Sequence, residues 1–115
     1  MTKLLNKKNI LDIIFFKKEY STKEEIMELL KVSAKSSPNG VAGAIAGIVK
    51  ENGKVEMQAI GAGAINQAVK AVAIARGFMV PTGIDISCTP YFTEVMIDDA
   101  EKTGIRFTVE AKELA

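Results

Sequence analysis

Residues 55–78 read VEMQAIGAGAINQAVKAVAIARGF, and this stretch decides the fold. Val55 to Ile60 alternates apolar and polar residues, the period-two pattern of a strand with one buried face. Gly61-Ala62-Gly63 breaks that strand, and Ala64 to Arg76 is rich in the best helix former, alanine. Gly77 stands where a left-handed glycine is expected to close the helix. Ile65, Val69, Val72 and Arg76 follow one helical stripe, while Ala71, Ile74 and Phe78 follow another. Only Asn66, Gln67, Lys70 and Arg76 bring polarity, so the helix needs cover on more than one side. Its own sheet supplies one cover. A second copy of the chain is the simplest source of the other, so a homodimer or higher homo-oligomer is expected, with Ile74 and Phe78 in the interface.

Working outward toward the N-terminus, Leu29 to Ala34 alternates, with Leu30, Val32 and Ala34 on one face, and reads as a strand. Lys35 to Asn39 is a turn in which Ser37 caps a helix and Pro38 takes its first position. The helix runs from Val41 to Lys50 with Val41, Ile45, Ile48 and Val49 inward. Gly40, Gly43 and Gly47 are expected to let a neighbour approach closely, and Asn52-Gly53 ends the helix. Toward the C-terminus, Val80 to Gly83 is a turn and Ile84 to Ile97 a long strand. Pro90 requires that strand to sit at an edge or carry a bulge. Asp98 to Gly104 reads as a hairpin tip, and Ile105, Phe107 and Val109 alternate in the closing strand. The order is βαβαββ. It implies an α+β two-layer sandwich, a mixed four-stranded sheet with two helices on one face.

The first 26 residues differ in character. Ile10 to Phe16 is an apolar run fenced by Lys7-Lys8 and Lys17-Lys18, too short to span a bilayer. It has no secretory cleavage site behind it, so residues 1–26 are expected to be a helical or disordered extension outside the domain at 27–115. A basic amphipathic helix on a membrane or partner surface and a natural start at Met27 are the alternatives. Ser21-Thr22 with Glu25 offers a capping box.

The 115 residues suit a single domain, and 48% hydrophobic with 25% charged content is that of a soluble globular protein. The chain has no His, which removes the commonest general base and metal ligand. Its one cysteine, Cys88, cannot form an internal disulfide and reads as a small buried residue, which fits a reducing, cytoplasmic setting. No catalytic residues, metal site or cofactor are expected, and no integral membrane segment. Charge is uneven: residues 1–26 carry six Lys against four acids, residues 27–77 six Lys and Arg against three, and residues 78–115 three against seven. A polyanion would prefer the first part of the domain and a basic protein partner the acidic hairpin.

The segment LLKVSAKSSPNGVAGAIAGIVKENGKVEMQAIGAGAINQAVKAVAIARGFMVPTGIDISCTPYFT, with MIDDAEKTGIRFTVEA after it, resembles the stage V sporulation protein S family from Met27 to about Ala111. The resemblance implies a cytoplasmic regulator tied to sporulation and an Alba-like fold, in agreement with the βαβαββ order. The wider Alba resemblance implies a dimer that binds DNA or RNA through two loops and a hairpin arm. Of those regions, the first keeps Lys35, the second is Gly61-Ala62-Gly63-Ala64, and the arm is acidic at Asp98, Asp99 and Glu101.

The residues themselves offer one candidate surface. In a βαβα unit both helix N-termini emerge at one sheet edge, so Lys35, Ser36, Ser37 and Asn39 are expected near Gly61, Gly63 and Asn66. That edge would hold a phosphate or nucleic-acid backbone, with Lys35 supplying the charge. The competing reading of Gly61 and Gly63 is close helix–sheet packing. Tyr91 and Phe92 beside Pro90 are expected in the oligomer interface rather than stacked on bases.

Overall fold

Lys54–Ala59 is the central strand, and the rest of the molecule is arranged on either side of it. The computed structural model describes residues 15–20 and 26–113. Along the chain these form β1 (Phe15–Tyr20), β2 (Ile26–Val32), α1 (Pro38–Asn52), β3 (Lys54–Ala59), α2 (Ala62–Met79), a 3-10 turn (Val80–Thr82), β4 (Ile84–Ile97) and β5 (Ala100–Glu113). The sheet order is β1-β2-β3-β5-β4. β2 and β3 are parallel, as the intervening α1 crossover demands, and all other pairs are antiparallel.

The βαβαββ order of the domain is as the sequence implies, a mixed sheet with two helices. A further strand joins it. Where residues 1–26 were expected to be helical or disordered, Phe15–Tyr20 is a strand paired with β2 from Phe15 opposite Lys31 to Tyr20 opposite Ile26. The physical reason is the backbone edge of β2, whose N–H and C=O groups need partners that this segment supplies. The capping box at 21–25 and the run from Ile10 to Ile14 lie outside the described residues.

Alternation sorts the strands into two faces. Leu30, Val32, Val55, Met57, Ala59, Ile86, Phe107 and Val109 point to the helices and form one core with Val41, Ile45, Ile48 and Val49 of α1. On α2 the buried stripe is Ala64, Ala68, Ala71, Ala75 and Met79, which shares only Ala71 with the two stripes read from the sequence. Ile65, Val72 and Ile74 flank it half-buried, and Val69 and Phe78 are about half exposed at 52% and 49%. Alanines win this position because two helices on one small sheet must lie close, and small side chains permit it.

Helix ends follow local chemistry. Ser37 accepts a hydrogen bond from the Gly40 N–H at 3.1 Å, and Gly53 closes α1 at φ 84°. Gly77, expected as the terminator of α2, is instead helical. The helix continues to Met79, which is fully buried, and the left-handed glycine is Gly83 at φ 90°, after Pro81. Burial of Met79 holds the extra turn in place.

Pro90 lies on β4, an edge strand, and the register with β5 runs from Ile84 opposite Glu113 to Ile97 opposite Ala100 without a bulge. The hairpin tip is shorter than expected: only Asp98 and Asp99 turn, at φ 51° and 63°, and residues 100–104 belong to β5. Two successive positive φ values make the tight turn whose twist matches the strands.

Candidate nucleic-acid interface

Parallel pairing puts Val32, the last residue of β2, beside Ala59, the last of β3. Both strands therefore discharge into their helices at one edge of the sheet. The first loop is built on hydroxyls: the Ser33 N–H donates to Ser36 Oγ at 2.9 Å and the Lys35 N–H to Ser33 Oγ at 3.2 Å. Serine is suited to this because a short hydroxyl can satisfy turn N–H groups that have no ladder partner. These bonds hold Lys35 out, exposed, at the head of the loop. Ser37, while accepting from Gly40, keeps its own proton for an outside acceptor. Asn39 in the first turn of α1 is exposed.

The second loop is glycine for two separate reasons. Gly61 adopts φ 93°, ψ 155°, a region that is essentially glycine's alone. Gly63 lies so near the first loop that a Cβ on it would meet the Ala34 Cβ at 2.9 Å. No side chain caps α2 at Gly61. Gln67, one turn in, donates its amide to the Ser36 carbonyl at 2.8 Å. The two loops, 31 residues apart in sequence at this bond, are thus fastened together. Lys35, Ser36, Ser37 and Asn39 do come to the same edge as Gly61, Gly63 and Asn66, and Asn66 is exposed there. Packing accounts for the glycines; the same packing brings two helix N-termini side by side, where partial positive charge accumulates. The expected close approach at Gly43 is absent, since a Cβ there would meet nothing within 4 Å.

The hairpin arm rises from this edge. β3 ends where Ala59 faces Ile105, so residues 93–104 of β4 and β5 extend past it. The base of the arm is pressed onto the sheet at Gly104, where a Cβ would meet Ile60 Cγ1 at 2.8 Å. Glu94, Asp98, Asp99 and Glu101 give the arm negative charge, and Thr103 donates to the Glu94 carboxylate at 3.2 Å.

The four residues expected in an oligomer interface are not brought together. Tyr91 and Phe92 are successive on a strand and face opposite sides of the sheet. Phe92 is 77% exposed beside Ile105, at the end where α2 begins. Phe78 lies sixteen residues after Ala62, about 24 Å along the helix axis. Ile74 is half-buried against the core.

On the face away from the helices the structure assembles a polar cluster that the sequence alone does not signal. Tyr91 Oη donates to Glu56 Oε1 at 2.7 Å and Thr108 Oγ1 to Glu56 Oε2 at 2.8 Å, while Arg106 Nε donates to Gln58 Oε1 at 3.1 Å. Glu56 is only 6% exposed, and its carboxylate is also 3.8 Å from Arg106 Nη1. Burial, followed by the hydrogen bond to Glu56, raises the Tyr91 phenol above its ordinary pKa. Every member is satisfied, so the cluster is a clasp across β3, β5 and β4 rather than a reactive site. Its only trace in the sequence is that Glu56, Gln58, Arg106 and Thr108 alternate with core residues; which would meet depends on register. Cys88 is exposed on β4, against the expectation of a buried residue, though partial burial still raises its thiol pKa. The edge position of β4 explains the exposure. Among the described residues no group of acids and cysteine could hold a metal, and no helix is long and apolar enough to cross a membrane.

Residues 28–112 match the family model of stage V sporulation protein S.

Proposed function

The chain belongs to the stage V sporulation protein S family, a sporulation-associated family, and we propose that it acts there as a non-enzymatic regulator that binds nucleic acid. The binding surface is the shared edge of the two helix N-termini. The observation that carries this reading is the Gln67–Ser36 bond at 2.8 Å, which holds the exposed Lys35 and the uncapped start of α2 on one surface. One lysine, helix N–H groups and serine hydroxyls can hold a phosphate backbone weakly and without reading bases. A homodimer or higher homo-oligomer would then raise the affinity by presenting several such edges on one strand.

The test is fluorescence anisotropy with labelled duplex DNA, single-stranded DNA and RNA across a range of salt. Salt-dependent binding is expected, and Lys35→Glu should weaken it for every sequence, lowering the salt slope by about 1. Unchanged binding by Lys35→Glu would remove the shared edge from consideration. The acidic arm, with Met96 at 67% exposure, favours a second reading, a protein-interaction module that engages a basic regulator without nucleic acid. Absence of binding to all three probes at low salt would leave that one standing.

A further inference from the structure

On the face of the sheet away from the helices, a groove of about 360 Å³ opens between the loop after β2 and the hairpin arm. That volume lies at the small end of the roughly 300–1,000 Å³ that ligand pockets occupy. Ile60, Val95 and Ile97 give the groove apolar walls, and Lys31, Ser33 and Gln58 give it a polar end. The fold itself leaves this space. β3 stops at Ala59 while the arm continues, and Gly104 puts no side chain between Ile60 and Thr93.

Gln58 makes this groove more than a gap. It is 7% exposed, and its Oε1 accepts from Arg106 Nε at 3.1 Å. That bond fixes which way round the amide lies, oxygen toward Arg106 and nitrogen away. Nε2 has no acceptor among the described residues, yet no buried side-chain nitrogen or oxygen there lacks a partner. Nε2 therefore opens onto the groove that Gln58 lines. An amide buried this far, with its donors turned to a groove, calls for an acceptor in it. Charge says which kind. The register sets Lys31 of β2 and Arg106 of β5 on either side of Gln58, so the amide lies between two cations. Glu56, two residues back on β3, is already bonded through both oxygens, by Tyr91 and Thr108. The Arg106 bond also polarises the amide and strengthens its remaining N–H donors.

We propose that the groove is a binding site for a small aliphatic carboxylate. The carboxylate accepts from Gln58 Nε2 beside Lys31, and the hydrocarbon body lies on Ile60, Val95 and Ile97. Ile97 is 40% exposed, apolar surface that such a body covers. Asp98, Asp99 and Glu101 follow Ile97 at the tip of the arm and repel negative charge. They set the direction of the ligand and exclude a polyanion laid along the groove. The site does not rest on the nucleic-acid reading. Its one link to that reading is Ser33, whose Oγ accepts from the Lys35 N–H at 3.2 Å, so a ligand against Ser33 touches the loop that presents Lys35.

The experiment is amide NMR on the ¹⁵N-labelled full chain at neutral pH, without nucleic acid, titrated with acetate, hexanoate and hexylammonium. Hexanoate is expected to move the Gln58 side-chain amide and the backbone amides of Ile60, Val95 and Ile97 saturably. It should bind at least about tenfold more tightly than acetate, because its further methylenes find apolar surface. Gln58→Glu keeps an acceptor for Arg106 but removes the donor, and should weaken hexanoate at least about tenfold. Ile97→Ser, on the exposed arm, should weaken hexanoate and leave acetate unchanged. Failure of hexanoate to move these resonances would overturn the proposal. So would acetate binding as tightly, equal movement by hexylammonium, or unchanged hexanoate affinity in either variant.

Discussion

Gly63 and Asp85 are the residues at which local chemistry most directly supports the proposed interface and its scaffold. A methyl group at Gly63 would meet the Ala34 Cβ at 2.9 Å, and both atoms sit on short side chains that cannot swing away. Gly63→Ala is therefore expected to cost about 1–3 kcal/mol in chemical denaturation by forcing the two loops apart. If Lys35 acts with the start of α2, nucleic-acid affinity should fall with it. Asp85 receives two bonds from Arg76, Nε to Oδ1 at 2.7 Å and Nη2 to Oδ2 at 3.2 Å, and a third from the Ile86 N–H at 2.7 Å. The Arg76 bond first, then the Ile86 bond, hold its pKa down from 3.8 to about 2. A carboxylate whose pKa is lower in the folded state stabilises fully above its unfolded value, and that contribution is lost as pH falls through the folded one. Asp85→Asn should thus lower the melting temperature at pH 6. The difference from the parent protein should shrink between pH 4 and pH 2, and a difference constant across that range would contradict the assignment.

At the scale of elements, α2 is where sequence and structure part most informatively. Both Gly77 and Gly83 stand near its end, and either satisfies the rule that a glycine closes a helix. Burial decides between them: Met79 is fully buried, so the helix must run past Gly77 to place it. Gly77→Ala is expected to stabilise by up to about 1 kcal/mol, because the residue is helical and a Cβ there meets nothing within 4 Å. Gly83→Ala should destabilise by roughly 1 kcal/mol, because φ is 90° there. Thermal unfolding of the pair checks the helix end; the opposite order would restore Gly77 as terminator. The strand pattern was more readable. Pro90 demanded an edge or a bulge, and β4 is an edge strand in unbroken register. Strand β1 was not readable, since FFKKEY has no clean alternation and pairs because β2 has an open side.

For the whole molecule, three exposed apolar residues, Phe78, Phe92 and Met96, divide between two ends, with Val69 between them midway along α2. Phe92 and Met96 belong to the end with the helix N-termini and the arm, and Phe78 to the far end of α2. A two-fold dimer of ordinary size uses one self-complementary patch, so it cannot use both ends at once. Phe78→Ser and Phe92→Ser are accordingly expected to change association unequally in sedimentation velocity. Equal losses would point to an assembly larger than a dimer. The division also separates tasks. An association through Phe78 leaves the edge with Lys35 open, whereas one through Phe92 flanks it with a second arm.

The sequence by itself determined the order of the domain's elements, the inward faces of β2, β3, β5 and α1, the cap at Ser37 and the stop at Gly53. These follow from period, capping and turn chemistry, which act over a few neighbouring residues. It also placed Lys35 and Gly61 at one edge, because parallel strands joined by a helix leave no other geometry. Tertiary structure decided the rest. Contacts remote in sequence set the Gln67–Ser36 fastening, the clash that keeps Gly63 a glycine, the Glu56 clasp and the extra turn to Met79. Strand β1 belongs with them. Each depends on which surfaces meet once the sheet closes, and that is a property of register and burial rather than of any single stretch of chain.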